Sequence, residues 1–301
     1  MKYNENEVIK NNKGIVLTDN AFKIGEAAIL GMLYEVSASP SPGLVSPYST
    51  GAHSDMDFFT FLKSTSSIAY SMYLCAQIGV DNPEGDILRQ LRKIGIMAES
   101  RMFSATEGIN TQKGLLFLQG VISASAGRCI SRKLSLNRFN ISKLCSEICS
   151  GLVDKELKSI KHNKNLSNGE KLYIEKGFKG IRGEVEMGLP VVINHGIPAY
   201  EDALKSGMEI KKALCHSLVS IMTAVEDTTV LNRCGIDGLY YMRSCAKKAI
   251  EFGGMKTKQG EKYITDIDSE FIKRKISPGG AADLLAATVM IYKLEDDEVK
   301  N

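Results

Sequence analysis

The sequence predicts an all-α fold: a single compact multi-helix domain of about ten helices. Three observations lead there. Apolar residues recur at three- and four-residue spacing along most of the chain. β-Branched alternation is rare, and no Asn-Gly or Asp-Gly pair is flanked by the alternating runs a hairpin needs. No linker is long enough to separate two domains.

Residues 1–20 are polar and rich in Asn and Lys, which predicts a flexible tail and leaves 21–301 as the helical domain. The first helix is expected over 21–37, with Ala21, Ile24, Ala28, Leu33 and Val36 near one side. It must stop before Ser39-Pro40-Ser41-Pro42-Gly43, because proline disfavours a helical conformation in the residue before it. A second helix is expected to start at Ser54 and run to 77 through Phe58, Phe61, Leu62, Ile68 and Tyr73. Asp81-Asn82-Pro83 breaks the chain, and 86–102 resumes. The segment 111–129 carries Leu115, Leu118, Ile122 and Ala126, and 142–159 is amphipathic. Over 169–198 the glycines 177, 180, 183 and 188 predict irregular backbone. Leu214, Leu218, Ile221, Met222 and Val225 mark a helix over 200–225, and 238–252, 261–274 and 278–294 complete the set.

The 301 residues hold 38 Lys and Arg against 35 Asp and Glu, a net charge of +3 with no basic stripe for nucleic acid. The seven cysteines form no CxxC pair, which fits buried small hydrophobes in a reducing compartment. No run approaches the roughly 18 consecutive apolar residues that span a bilayer. The polar N-terminus is no signal peptide. A cytoplasmic protein with neither membrane nor nucleic-acid partners is expected.

Five charged or glycine-rich runs interrupt the apolar pattern. Ionised groups at the edge of a core need a partner, a metal or a ligand. In His53-Ser54-Asp55-Met56-Asp57, capping by Ser54 and the helix dipole account for Asp55 and Asp57 but not for His53. A functional reading makes His53 a phosphate or base contact and the two aspartates metal or acid–base groups. Asn110-Thr111-Gln112-Lys113-Gly114 puts Lys113 in a first helical turn, where a cation is disfavoured unless an anion also binds there. A solvated lysine is the plain alternative.

Arg182-Gly183-Glu184-Val185-Glu186 would set both carboxylates on one side of an extended segment, where they could hold a hard cation. A surface salt-bridge loop would read the same way. Glu226-Asp227-Thr228-Thr229 follows an apolar helix, and two acids at a helix C-terminus oppose its dipole unless a metal neutralises them. Arg233 is near enough in sequence to pair with phosphate or with these acids. Ser277-Pro278-Gly279-Gly280 reads as an N-cap, a first-turn proline and two glycines that each cost about 1 kcal/mol relative to alanine. They make sense if a ligand approaches the backbone N–H groups. No Walker, nucleophile-elbow or His-Glu-x-x-His motif is present, and His195 and His216 stand alone.

Taken in order, the runs resemble the triphosphoribosyl-dephospho-coenzyme A synthase family, which serves citrate lyase and malonate decarboxylase. The likeness extends through Pro42-Gly43-Leu44-Val45, Gly51-Ala52 before His53, and Ile276 to Leu285. The chain departs from the family pattern at Ser41, Ser46, Gln112 and Cys234. The resemblance implies a pentosyltransferase that moves the 5-triphosphoribosyl group of ATP to the 2′-hydroxyl of 3′-dephospho-coenzyme A, with Mg²⁺ as cofactor and adenine released. The product is a prosthetic-group precursor, and the transferase that passes it to an acyl carrier protein is a candidate partner. The same resemblance implies that Glu184, Glu226 and Asp227 bind Mg²⁺ and face the ribosyl cation, Glu226 counting also as catalytic. Lys113, Arg182, Arg233, Ser277 and the N–H groups of Gly279 and Gly280 are expected to hold phosphates, and His53, Asp55 and Asp57 to activate the acceptor. An Mg²⁺-dependent nucleotide phosphohydrolase or kinase would use the same acids. A helical partner-binding module would need none of them.

Overall fold

Thr18 accepts the N–H of Ala21, and from that cap helix α1 runs Asp19–Ser37. It begins a chain of helices seen in a computed structural model that describes residues 16–158, 166 and 168–300. Among these residues follow α2 (Phe58–Asp81), α3 (Leu88–Ala105), α4 (Lys113–Ser131), α5 (Arg138–Ile148), α6 (Asn168–Lys176) and α7 (Gly180–Glu186). Then come α8 (Ile197–Lys205), α9 (Ile210–Met222), α10 (Thr228–Glu251), α11 (Lys258–Arg274) and α12 (Gly279–Lys300). Short π turns stand at Asp154–Lys158 and Val192–Gly196, and a 3₁₀ turn at Gly254–Lys256. The β pairing among the described residues is a single bridge between Ser46 and Ser49.

Helix α4 is the centre of the bundle. Its residues from Leu118 to Cys129 are buried without a break. It is long and apolar enough to cross a membrane, yet most of it is enclosed by neighbouring helices. Small residues let the backbones touch: a Cβ on Gly79 of α2 would lie 2.0 Å from the Ala124 carbonyl oxygen of α4. One on Gly127 would lie 2.2 Å from the carbonyl oxygen of Ala76. The buried Arg128 donates to the carbonyls of Asn82 and Gly85, tying the α2–α3 turn to the same helix. Helix α12 packs against α1, and the apolar residues of both ends of the chain join one core.

The all-helical expectation stands, with shifted boundaries. Helix α1 starts before residue 21, so Asp19 and Asn20 belong to it, while residues 1–15 of the expected tail lie outside the described residues. Helix α2 starts at Phe58 rather than Ser54, because Asp57 and Thr60 close a reciprocal capping box. The single helix expected over 200–225 is two, α8 and α9, parted at Gly207 with φ 79°. The amphipathic helix expected over 142–159 ends early: α5 stops at Ile148, Gly151 takes φ 72°, and Ser159 is outside the described set. The Arg182 run is helical, not extended. Two residues apart on a helix point to different sides. Glu184 accordingly faces a cleft, while Glu186 takes the N–H of Val153.

Candidate active site

A cleft of about 1040 Å³ opens where the five runs meet. His53 comes from the loop before α2, and Lys113 and Gly114 from the start of α4. Arg182 and Glu184 come from α7, and Glu226 from the turn before α10. Arg233 lies on α10, with Ser277, Gly279 and Gly280 at the start of α12. Segments more than two hundred residues apart in sequence therefore share one wall.

Among the described residues, five cations line this cleft: Arg92, Lys113, Lys179, Arg182 and Arg233. Lys113 Nζ is 2.6 Å from Glu99 Oε1. Glu156, from the first π turn, ties two arginines together: Arg92 Nη2 at 2.6 Å and Arg182 Nε at 2.9 Å. Arg92 also stacks over Phe117 at 4.1 Å from the ring centroid. Arg233 Nη1 lies 3.2 Å from His53 Nε2, which is 2.8 Å from Ser277 Oγ. Burial, then the Arg233 charge, lower the His53 pKa against a smaller opposing effect of Asp55, so the ring is neutral near pH 7.

The acids divide into two kinds. Glu184 accepts the Val191 N–H at 2.7 Å and the Val192 N–H at 3.4 Å through Oε1. Burial nevertheless lifts its pKa to about 7 against those donors, with help from the charge of Glu226. Glu226 is exposed to the cleft and accepts the N–H groups of Lys179 and Gly180 through Oε2, at 3.0 and 3.4 Å. Asp227 is different. It is wholly buried; Oδ1 takes the N–H groups of Thr229 and Val230, both at 3.0 Å, and Oδ2 takes that of Ala281 at 2.9 Å. It is the N-cap of α10, so the dipole that would oppose it at a helix end favours it here.

The α12 glycines serve Asp227 and Thr229 as well. A Cβ on Gly279 would sit 2.9 Å from Thr229 Oγ1, and one on Gly280 3.1 Å from the Asp227 carboxyl carbon. The Gly279 N–H already donates to the Ser277 carbonyl at 2.8 Å. Both glycines line the cleft, but their first role in the fold is to let α10 and α12 begin side by side. Asp55 stands outside the cleft lining, 3.7 Å from His53 Nδ1 and well exposed. Asp57 is also outside it, capping α2.

Besides Glu99 and Glu170, two acids outside the expected site set line the cleft deeper in the fold: Glu35 of α1 and Asp283 of α12. Glu35 is 5 % exposed, and burial raises its pKa to about 8. Asp283 is raised well above the usual carboxylate range by burial, then by Glu35 and Asp227. A signal existed, since Glu35 falls on the same helical stripe as Ile24, Ala28 and Gly31. Gln112 lines the cleft too; its Oε1 accepts from Ser64 Oγ at 2.6 Å, and its buried Nε2 has no partner among the described residues. The site thus offers cations for an anionic ligand, exposed and buried acids, and a neutral imidazole in one enclosure.

The model of the ATP:dephospho-CoA triphosphoribosyl transferase family matches residues 21–301. A protein of Vibrio cholerae serotype O1 (strain M66-2) is 38% identical over 274 residues, covering 90% of this chain and 88% of that one. One from Photobacterium profundum is 38% identical over 281 residues, covering 92% and 89%. One from Malonomonas rubra is 36% identical over 285 residues, covering 93% and 90%. Each carries the name probable 2-(5''-triphosphoribosyl)-3'-dephosphocoenzyme-A synthase. No solved structure matches the chain.

Proposed function

The chain belongs to the ATP:dephospho-CoA triphosphoribosyl transferase family, and from that premise we propose that the cleft is where ATP meets 3′-dephospho-coenzyme A. The enzyme is a pentosyltransferase: the acceptor's 2′-hydroxyl takes the 5-triphosphoribosyl group of ATP and adenine leaves. The product is the prosthetic-group precursor for the acyl carrier protein of citrate lyase or malonate decarboxylase. One observation carries the assignment to this cleft. Lys113, Arg182, Arg233 and the acids Glu184 and Glu226 line one enclosure despite their separation in sequence.

Breaking a bond to ribose C1′ builds positive charge on the sugar and leaves the triphosphate's negative charge to be held throughout. Lys113, Lys179, Arg182 and Arg233 hold the phosphates in this reading, with Glu99 and Glu156 fixing two of them. Glu184 and Glu226 face the growing positive charge, the same electrostatic logic as in glycoside cleavage. Neutral His53, oriented by Ser277 and Arg233, takes the acceptor proton.

Mg²⁺ fits the acids that remain available. Glu184 and Glu226 each spend one oxygen on backbone N–H groups and keep the other for a cation. Among the described residues no three His, Cys, Asp or Glu side chains form a metal cage. That suits Mg²⁺, which is usually held by one or two carboxylates with substrate phosphates completing its shell. Bound there it would neutralise triphosphate charge. Asp227 leaves the expected ligand set, since backbone donors take both its oxygens.

The test is a chromatogram after incubation with ATP, Mg²⁺ and 3′-dephospho-coenzyme A. Free adenine and a coenzyme product heavier by one triphosphoribosyl unit are expected. ADP or phosphate without adenine would instead mark a phosphohydrolase or kinase. Glu226→Gln should abolish adenine release while circular dichroism stays unchanged, and near-wild-type turnover would remove Glu226 from the site.

A further inference from the structure

In the reaction so described, nothing yet attends to the leaving group. Adenine departing from C1′ as an anion is a poor leaving group, and a proton on its imidazole ring as the bond breaks makes it a neutral one. Glu35 is buried and Asp283 half-buried in the cleft wall, and neither finds a cation among the described residues. Unpaired buried carboxyls are held in the protonated form. A proton on a carboxyl inside the cleft is a proton available to a ligand.

The surrounding structure makes room for one of them. Gly114 lies directly against Asp283: a Cβ there would be 2.5 Å from Asp283 Oδ2. Gln112, two residues earlier, is 2 % exposed and lines the same cleft with an unpartnered amide Nε2. A buried donor left without an acceptor is costly unless a ligand supplies one. An acid and an unpartnered amide from adjoining segments therefore share the wall of one enclosure, and a purine offers a ring nitrogen as acceptor to the acid.

We propose that Asp283 is the general acid of the reaction, delivering its proton to adenine N7 while Glu35 keeps its surroundings acidic. This rests on the transferase reading of the cleft. The C1′–N9 bond breaks and its electron pair leaves with adenine. The acceptor O2′ forms the new bond to C1′. The O2′ proton passes to the base, the Asp283 proton passes to N7, and neutral adenine departs. Asp283 is left as a carboxylate and is reprotonated before the next turnover. Nothing is oxidised or reduced.

Two substrates and one variant test this. General acid catalysis contributes roughly 10²–10⁴-fold, so Asp283→Asn should slow adenine release from ATP by at least about 10²-fold while ATP still competes for the cleft. In the wild-type enzyme 7-deaza-ATP, which carries carbon in place of N7, should compete with ATP and release its base slower by a similar factor. Adenine release by Asp283→Asn within about threefold of wild type would overturn the proposal, as would release of 7-deazaadenine at a rate near that of adenine. The 7-deaza arm uses the unaltered enzyme and decides the matter even if the variant does not fold. Absence of adenine release by the wild-type enzyme on ATP itself would sink the transferase reading instead, which keeps the two failures distinct.

Discussion

Replacing Gly114 by alanine puts a methyl carbon where Asp283 Oδ2 now lies, and the carboxyl, being the end of a movable side chain, must swing away. The helix itself gains, since alanine is the better helix former. Stability and activity should therefore part company in Gly114→Ala. The melting temperature should hold or rise, while adenine release falls on the order of 10²-fold, the cost of misplacing a reacting group by about an ångström. Glu35 gives a second prediction through linkage. Its pKa is about 8 in the fold against 4.5 for the free side chain. Between those values the native state keeps a proton that the unfolded chain has lost. The stabilisation is complete below about 4.5 and disappears as pH rises through about 8. The acid facing it, Asp283 of α12, is raised by burial and acts in the same direction, and no described cation opposes them. Thermal unfolding at about pH 5.5 and 8.5 should show wild type losing more stability with rising pH than Glu35→Gln. Parallel curves for the two proteins would contradict the linkage.

At the scale of helices, what matters is where they end. Apolar spacing is written into core residues, so the interiors of α1, α2, α4, α9 and α12 are legible in the sequence. Ends depend on which polar residue wins a cap. Ser54 and Asp57 both qualify on sequence, and Asp57 prevails only because Thr60 answers it. Apolar spacing puts the Glu226-Asp227 pair at the end of one helix, whereas Asp227 begins the next, which reverses the sign of the dipole argument. Asp227→Ala should therefore behave as a structural lesion. It removes acceptors for three N–H groups, two of them buried, at the starts of α10 and α12 and should cost at least about 2 kcal/mol in urea unfolding. Asp57→Ala, losing an exposed cap, should cost far less and leave turnover intact. Gly235 is the other hinge of α10: φ 70° and ψ −168° belong to a region that only glycine occupies readily. Thr228, Thr229, Asn232 and Arg233 before this kink line the cleft, and Leu239, Met242 and Ala246 after it pack in the core. Gly235→Ala should be destabilised by about 1–3 kcal/mol and should raise the KM for ATP, because Arg233 is re-aimed.

Across the whole molecule, the site exists only because helix starts from distant parts of the chain converge. The individual runs are visible in the sequence, since charge beside apolar stretches stands out. Their convergence is legible only through the order of the motifs, and Glu35 is legible only as an acid on the apolar stripe of α1, its chemistry hidden until Asp283 is placed near it. Convergence also has a thermodynamic consequence. A ligand touching several elements at once links their local opening, and one bound only to the native state stabilises by about 2.7 kcal/mol at a hundred times its dissociation constant. Mg²⁺ and ATP together should therefore slow amide hydrogen exchange in 110–116, 179–184, 228–233 and 279–284 as a group, with a matching rise in melting temperature. ATP with a chelator should do so more weakly, since Glu184 and Glu226 then face the phosphates unneutralised. Protection confined to one of these segments would mean that the cleft is not where the nucleotide sits, however well its walls are furnished.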